Sequence, residues 1–159
     1  MVQITEPISL SDTDLAILRA IQQDASATVR ELAEQLSMSP STLWRKLNDL
    51  QQVGAIRSRV ALLDADKVGV PVCVFVFINL VDHEKSTLRA FERFVKETPE
   101  IMECFSVTGA HDYTLIIRSK SVSAFELILM DHVLAHPAVA AASSQVALRQ
   151  HKYATALPI

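Results

Sequence analysis

Glycine is scarce in this 159-residue chain, with three residues at 54, 69 and 109. So widely scattered, they build no phosphate-cradling loop, and each is left to mark a single turn. Cysteine is as sparse. Cys73 and Cys104 form no spaced framework and match no zinc pattern, which points to two reduced thiols in a cytoplasmic protein. No apolar run approaches the roughly 18–20 residues of a membrane-spanning helix, the longest being Val70 to Ile78. The N-terminal stretch carries Glu6, Asp12 and Asp14 with no apolar core behind a basic start, so it does not read as a signal peptide. A basic excess is missing too: formal charge is −3, so any nucleic-acid site must be a local patch rather than a global field. Nucleophile elbows and paired catalytic carboxylates are also lacking. What is abundant is apolar side chain, 50% of residues, enough to pack one average domain or two small ones.

Helical spacing governs the first half. Ser11 with Asp14, and Thr28 with Glu31, are helix-start pairs in which each side chain satisfies an orphan backbone N–H. Leu15, Leu18 and Ile21 make the first apolar stripe; Val29, Leu32, Ala33 and Leu36 make the second. The short turn Ser37-Met38-Ser39 leads to Pro40, suited to a first helical position because its missing N–H costs nothing there. The third helix is predicted to run to about Val53 and stop at Gly54. Two helices joined by so short a turn, behind a supporting helix, form a helix-turn-helix pattern.

Beyond Gly54 the period changes. Ala55 to Leu63 is β-prone, with Arg57 and Arg59 on one side of an expected strand, and Asp64 to Gly69 is a polar break suited to a hinge. Val70–Leu80 reads as a strand apolar on both faces, which needs helices on one side and another subunit on the other. A helix near 84–97, strands at 101–107 and 113–118, a helix at 122–134 and a strand at 139–148 follow. The order β-α-β-β-α-β is that of a ferredoxin-like sandwich. The expected organisation is therefore α+β: a (winged) helix-turn-helix domain over 1–54, a strand and hinge linker over 55–69, and a ferredoxin-like effector and oligomerisation domain over 70–159. No metal or other cofactor is called for. His132 and His136, with Asp131 beside them, have ligand-like spacing but lack third and fourth partners.

The stretch "MSPSTLWRKLNDL" carries both packing and recognition. Leu43, Leu47 and Leu50 face a core, while Ser41, Thr42, Arg45, Lys46 and Asp49 share the opposite face. From Arg45 to Arg59 only Asp49 is acidic against four basic groups, so the positive field is local. Arg45 is the expected base reader, because a guanidinium pairs with guanine at two points. Lys46, Arg57 and Arg59 suit phosphates, which position without specifying. Ser39, Ser41, Thr42 and Asn48 complete the expected contact set. Trp44 sits at the edge of the leucine stripe, with packing and a DNA contact as its two alternatives. Taken by itself, the stretch also fits a plain solvated amphipathic helix.

The run "LSDTDLAILRAIQQDASATVRELAEQLSMSPSTLWRKLNDLQQVGAIRSRVALLD" resembles the DNA-binding domain of the Lrp/AsnC (feast/famine) transcription regulators. The second half resembles that family's ligand-sensing module through "VTGAHDYTLIIR", "HPAVAAASS" and "KYATALPI". The resemblance spans about Leu10 to Ile159. It implies a regulator that binds double-stranded DNA, responds to a small effector such as an amino acid, and assembles as homodimers and further into an octamer. The family carries more basic residues where this chain has Asn48 and Asp49, and an acidic residue and an aromatic where it has Ala110 and His111.

Read alone, "TGAHDY" is a hairpin turn in which Gly supplies unusual angles and Asp bonds local backbone. The resemblance adds an effector role for Thr108, Gly109, Ala110, His111, Asp112 and Tyr113, with Ser143 and Ser144 matching a hydroxyl pair near this loop. Asp112 is then expected to accept an effector's ammonium, with the Ala110 and His111 N–H groups facing its carboxylate. His111 adds an expected pH dependence. Two alternatives remain at this level: a haem-precursor decarboxylase of the same architecture, whose basic groups reduce here to His111 and Arg118, and an architectural DNA-binding protein without a ligand.

Overall fold

Ser11 and Thr28 start the first two helices as the spacing predicts. In the computed structural model, which describes residues 8–159, these are α1 (Asp12–Gln23) and α2 (Val29–Gln35). The Ser11 N–H donates to Asp14 Oδ2 at 3.0 Å and the Asp14 N–H returns to Ser11 Oγ at 3.2 Å. Thr28 and Glu31 repeat the exchange at 2.7 and 3.2 Å. Each such cap is worth roughly 0.5–2 kcal/mol to its helix. Between α2 and α3 (Pro40–Gln52), Ser37 takes a left-handed backbone, φ 51°, which tightens the turn at the cost of some strain. Gly54, at φ 77°, ends α3, and the Ile56 N–H closes on the Leu50 carbonyl at 3.1 Å. Ile17, Leu18, Leu32, Ala33, Leu43, Leu47, Leu50 and Ile56 bury together as this unit's core.

No strand forms among 55–69. The expected strand fails because its backbone groups find no neighbouring strand, and Val60, Leu62 and Leu63 remain 70%, 60% and 74% exposed. The polar break folds as a turn. Asp64 Oδ1 accepts from the N–H groups of Asp66 (3.0 Å) and Lys67 (3.2 Å), and Gly69 leaves the turn at φ 82°.

The chain divides into two compact units, one reaching Ala61 and also including Lys152–Ile159, the other Leu62–His151. Lys152–Ile159 pack with the first unit. Gln22 reads the Leu157 backbone at both ends: its Oε1 accepts the Leu157 N–H at 2.6 Å and its Nε2 donates to the Leu157 carbonyl at 3.3 Å. Arg19 Nε donates to the Ile159 carbonyl oxygen at 2.7 Å.

The second unit is the α+β sandwich. Its elements are β1 (Val72–Leu80), α4 (Lys85–Glu97), β2 (Ile101–Ser106), β3 (Tyr113–Ser119), α5 (Val122–Leu127), a π-helical turn (Ile128–Val133) and β4 (Val139–Val146). The sheet runs β2-β3-β1-β4 with antiparallel pairs throughout. The strand period of two puts Val74, Val76, Ile78 and Leu80 on one face, where they bury with Leu115, Ile117, Phe91, Phe125 and Val133. The expected uninterrupted helix over 122–134 widens after Leu127, with the Leu134 N–H bonding to the Leu129 carbonyl at 2.8 Å.

The opposite sheet face carries Phe75, paired with Ile116 and Gln145, and Phe77, paired with Thr114 and Ser143. Phe105, paired with Thr114, continues it. No helix of the unit covers this face, and Phe75 and Phe105 stay 37% and 51% exposed.

Candidate DNA interface and effector site

The recognition elements are built at the start of α3. Ser39 caps the helix, its Oγ accepting the Thr42 N–H at 3.2 Å, and shares hydrogen bonds with the hydroxyls of Thr42 (2.7 Å) and Ser41 (3.1 Å). These hydroxyls stand at the positive end of the helix, where N–H groups and dipole favour an anion. Arg45, Arg57 and Arg59 are exposed and carry no hydrogen bond or ion pair among the described residues. Trp44 is 61% exposed, so its indole does not pack into the leucine core as the first alternative held. Asn48 is half-buried.

Lys46 behaves differently from the other basic groups. Its Nζ lies 2.9 Å from Asp14 Oδ1, with side-chain exposures of 30% and 14%. The expected phosphate contact is thus committed to an internal ion pair that ties α3 to α1. Asp14 is held at about 2, below its ordinary 3.8, by the Ser11 hydroxyl, then the Lys46 ammonium and the Ser11 N–H. Helical spacing could not show this partner, 32 residues away.

In the second unit the 108–112 turn closes with the Val107 N–H donating to the Asp112 carbonyl at 3.0 Å. Thr108, Gly109 and Ala110 are exposed, Gly109 at φ 116°. Asp112 is already engaged: Oδ2 accepts the Leu80 N–H at 2.8 Å, and Oδ1 lies 2.8 Å from His83 Nε2. The Leu80 N–H and then the His83 ring hold this carboxyl below the usual carboxylate range. His83 carried no expectation from sequence; its only signal is an imidazole in the polar break after β1.

His111 stacks at 5.3 Å on Phe77, and its Nδ1 lies 3.1 Å from the Asn79 side-chain amide. With its NH2 turned inward, Asn79 donates to the carbonyls of Ile78 (3.1 Å) and Ala110 (3.2 Å) and to His111 Nδ1 (3.1 Å). In that orientation the two N–H donors are shared among three acceptors, and a donor facing Nδ1 places the proton of the neutral His111 ring on Nε2.

Two expected members do not join the group. Tyr113 packs 4.7 Å from Phe91 in the helix layer, and burial raises its hydroxyl above the ordinary range. Ser143 and Ser144 point to opposite faces, because Ser143 pairs with Phe77 and Ser144 with Val76. Within one chain only Ser143 shares the outer face with Phe77. His111 and Arg118 also fail to converge: His111 precedes β3 and Arg118 lies near its far end, with about 16 Å of strand from Tyr113 to Arg118 between them, and Arg118 donates to the Pro71 carbonyl at 3.3 Å. His136 is half-buried against Phe94, ring centroids 4.7 Å apart. No group of three or more His, Cys, Asp or Glu is arranged to hold a metal ion among the described residues.

The sequence matches of the two units fit this geometry. Residues 10–57 match the model of a winged helix-turn-helix DNA-binding domain, and residues 73–157 match that of the Lrp/AsnC ligand binding domain. The chain belongs to the Lrp/AsnC family of transcription regulators. Its Lrp/AsnC relatives include the transcriptional regulator AzlB of Bacillus subtilis, 30% identical over 96% of this chain and 97% of AzlB. The glutamate uptake regulatory protein of Zymomonas mobilis is 33% identical over 94% of this chain and 91% of that protein. A transcriptional regulator from Neisseria meningitidis, solved in complex with L-Met, superposes with TM-score 0.90 at 32% identity, covering 94% of this chain and 97% of that one. The wing expected of such a domain has no strand in the described residues of this Lrp/AsnC chain. No helix among the described residues is long and apolar enough to cross a membrane.

Proposed function

We propose that this Lrp/AsnC regulator works in the cytoplasm as a sequence-specific DNA-binding protein whose occupancy of DNA responds to an α-amino acid. The observation that carries the DNA part is the α3 surface, where Arg45 and Trp44 stand free of the core beside the capped hydroxyl cluster. Arg45 reads a base edge, Ser39, Ser41 and Thr42 meet the phosphate at the helix start, and Arg57 and Arg59 hold adjacent phosphates. Asn48 borders this surface.

The effector half centres on Asp112. An anion at the end of the sheet suits an ammonium, and the His111 Nε2–H with the turn N–H groups of Ala110 and His111 suits a carboxylate. Thr108, Gly109 and Ser143 border that position. The ligand-binding domain match and the L-Met complex of the Neisseria relative support an amino acid as the ligand. The uncovered face at Phe75, Phe77 and Phe105 supports a homodimer with paired reading heads, which further assembles toward an octamer. A helix-turn-helix domain, a linker region and an effector domain are the working division of the chain.

The test is selection of bound genomic fragments by the full-length protein, repeated with each common amino acid, followed by calorimetry of those that change the selection. Enrichment of one motif, altered by at least one amino acid, is the expected result. Uniform recovery of fragments removes sequence specificity. An enriched motif insensitive to every amino acid leaves an architectural DNA-binding protein.

A further inference from the structure

An ammonium approaching Asp112 meets a carboxylate whose two oxygens are both in use, and the two contacts differ in kind. The Leu80 N–H sits where the register of β1 against β4 shifts between Asn79 and Leu80, and Asp112 Oδ2 is its partner at 2.8 Å. Losing that contact orphans a backbone donor at the end of the sheet. The second contact comes from a surface side chain: His83 is 69% exposed, and its ring has no other hydrogen bond among the described residues. The first contact is structural and the second can leave.

We infer that His83 is a built-in stand-in for the effector's ammonium, resting its Nε2 on Asp112 Oδ1 until an α-amino acid displaces it. This rests on the effector role of Asp112 proposed above. An imidazole N–H and an α-ammonium are both donors directed at a carboxylate, so they compete for one oxygen. Competition taxes affinity by the fraction of molecules in which the site is already filled. It also keeps Asp112 satisfied in the absence of ligand, so the empty site holds the geometry of the filled one. The selectivity that follows is chemical: a ligand must bring a cationic donor to displace His83, and an N-acylated amino acid cannot.

The experiment is calorimetry on the full-length wild type, His83→Ala, His83→Lys and Asp112→Asn. The probes are the common L-amino acids and N-acetyl-L-methionine. Asparagine at 112 retains an acceptor for the Leu80 N–H while removing the charge. Amino acids that bind the wild type should bind His83→Ala about two- to sixfold tighter, the range set by the modest strength of an exposed hydrogen bond to a carboxylate. His83→Lys, with its tethered ammonium, should bind no tighter than wild type, and N-acetyl-L-methionine should bind none of them. In the wild type the His83 Cε1–H resonance should move on saturation as the ring leaves Asp112. If Asp112→Asn abolishes binding but His83→Ala leaves affinity unchanged or weaker, the effector site stands and the role of His83 falls. If binding survives Asp112→Asn at full strength, or no amino acid binds any of the four proteins, the effector role of Asp112 falls and the inference with it.

Discussion

Removing the charge of Asp14 should loosen the reading head and, at the same time, strengthen its grip on DNA. The Asp14 carboxyl is held at about 2 against an ordinary 3.8. At about 1.4 kcal/mol per pKa unit, the whole set of contacts is worth at most about 2.5 kcal/mol. Ser11 supplies the largest part, and Lys46, with 30% of its side chain exposed, interacts partly through water. The share of the ion pair is therefore about 0.5–1 kcal/mol. Asp14→Asn, Lys46→Met and the double variant form a cycle, and native-state hydrogen exchange of α1 and α3 amides in the full chain reads the local stability. The folded pKa lies below the unfolded one, so this stability is full above about pH 4 and is lost as pH falls toward 2. On DNA, Asp14→Asn releases the Lys46 ammonium and should steepen the dependence of log affinity on log salt by about 0.9, one added phosphate contact. Lys46→Met should leave that slope unchanged. A coupling below about 0.2 kcal/mol, or a slope reduced by Lys46→Met as much as by Arg59→Ala, would return Lys46 to the phosphate backbone and refute the clamp.

Arg45→Ala should cost about 1–3 kcal/mol on a selected site and relax base preference, whereas Arg59→Ala should weaken all sequences alike and reduce the salt slope by about 1, both measured by titration on selected and scrambled duplexes. Phe75→Glu puts a charge on the uncovered sheet face and should shift the protein toward monomer in light scattering at micromolar concentration; an unchanged mass would remove that face from assembly. Burial, aided by Glu92, pushes the Cys104 thiol up to about 11, so it holds almost no thiolate at pH 8 and should be alkylated only after unfolding, as followed by mass spectrometry. Ser37→Gly relieves the left-handed backbone at φ 51° and should stabilise the first unit by about 0.5–1 kcal/mol in amide exchange; a loss of stability would show that unfolded-state entropy outweighs the strain.

What the sequence by itself determined is local or periodic. Ser11 with Asp14 and Thr28 with Glu31 were legible because each pair spans one helical turn, and the capping geometry follows from spacing alone. The alternation of Val74, Val76 and Ile78 with Phe75 and Phe77 showed two apolar faces because strand geometry has a period of two, and the fold decided which of them is buried. The motif order carried the family, and with it the α+β architecture. Tertiary structure decided everything that depended on a distant partner. Asp14 meets Lys46 across 32 residues, His83 meets Asp112 across 29, and Gln22 meets Leu157 across 135. No window of sequence contains such pairs, because only packing brings them within hydrogen-bond reach. The same reason explains the failed strand after Gly54: β-prone residues state a preference, but a strand exists only where a neighbour takes up its N–H and carbonyl groups. Ser143 and Ser144, adjacent in sequence and opposed across the sheet, were separated by register, which is a property of the paired strands.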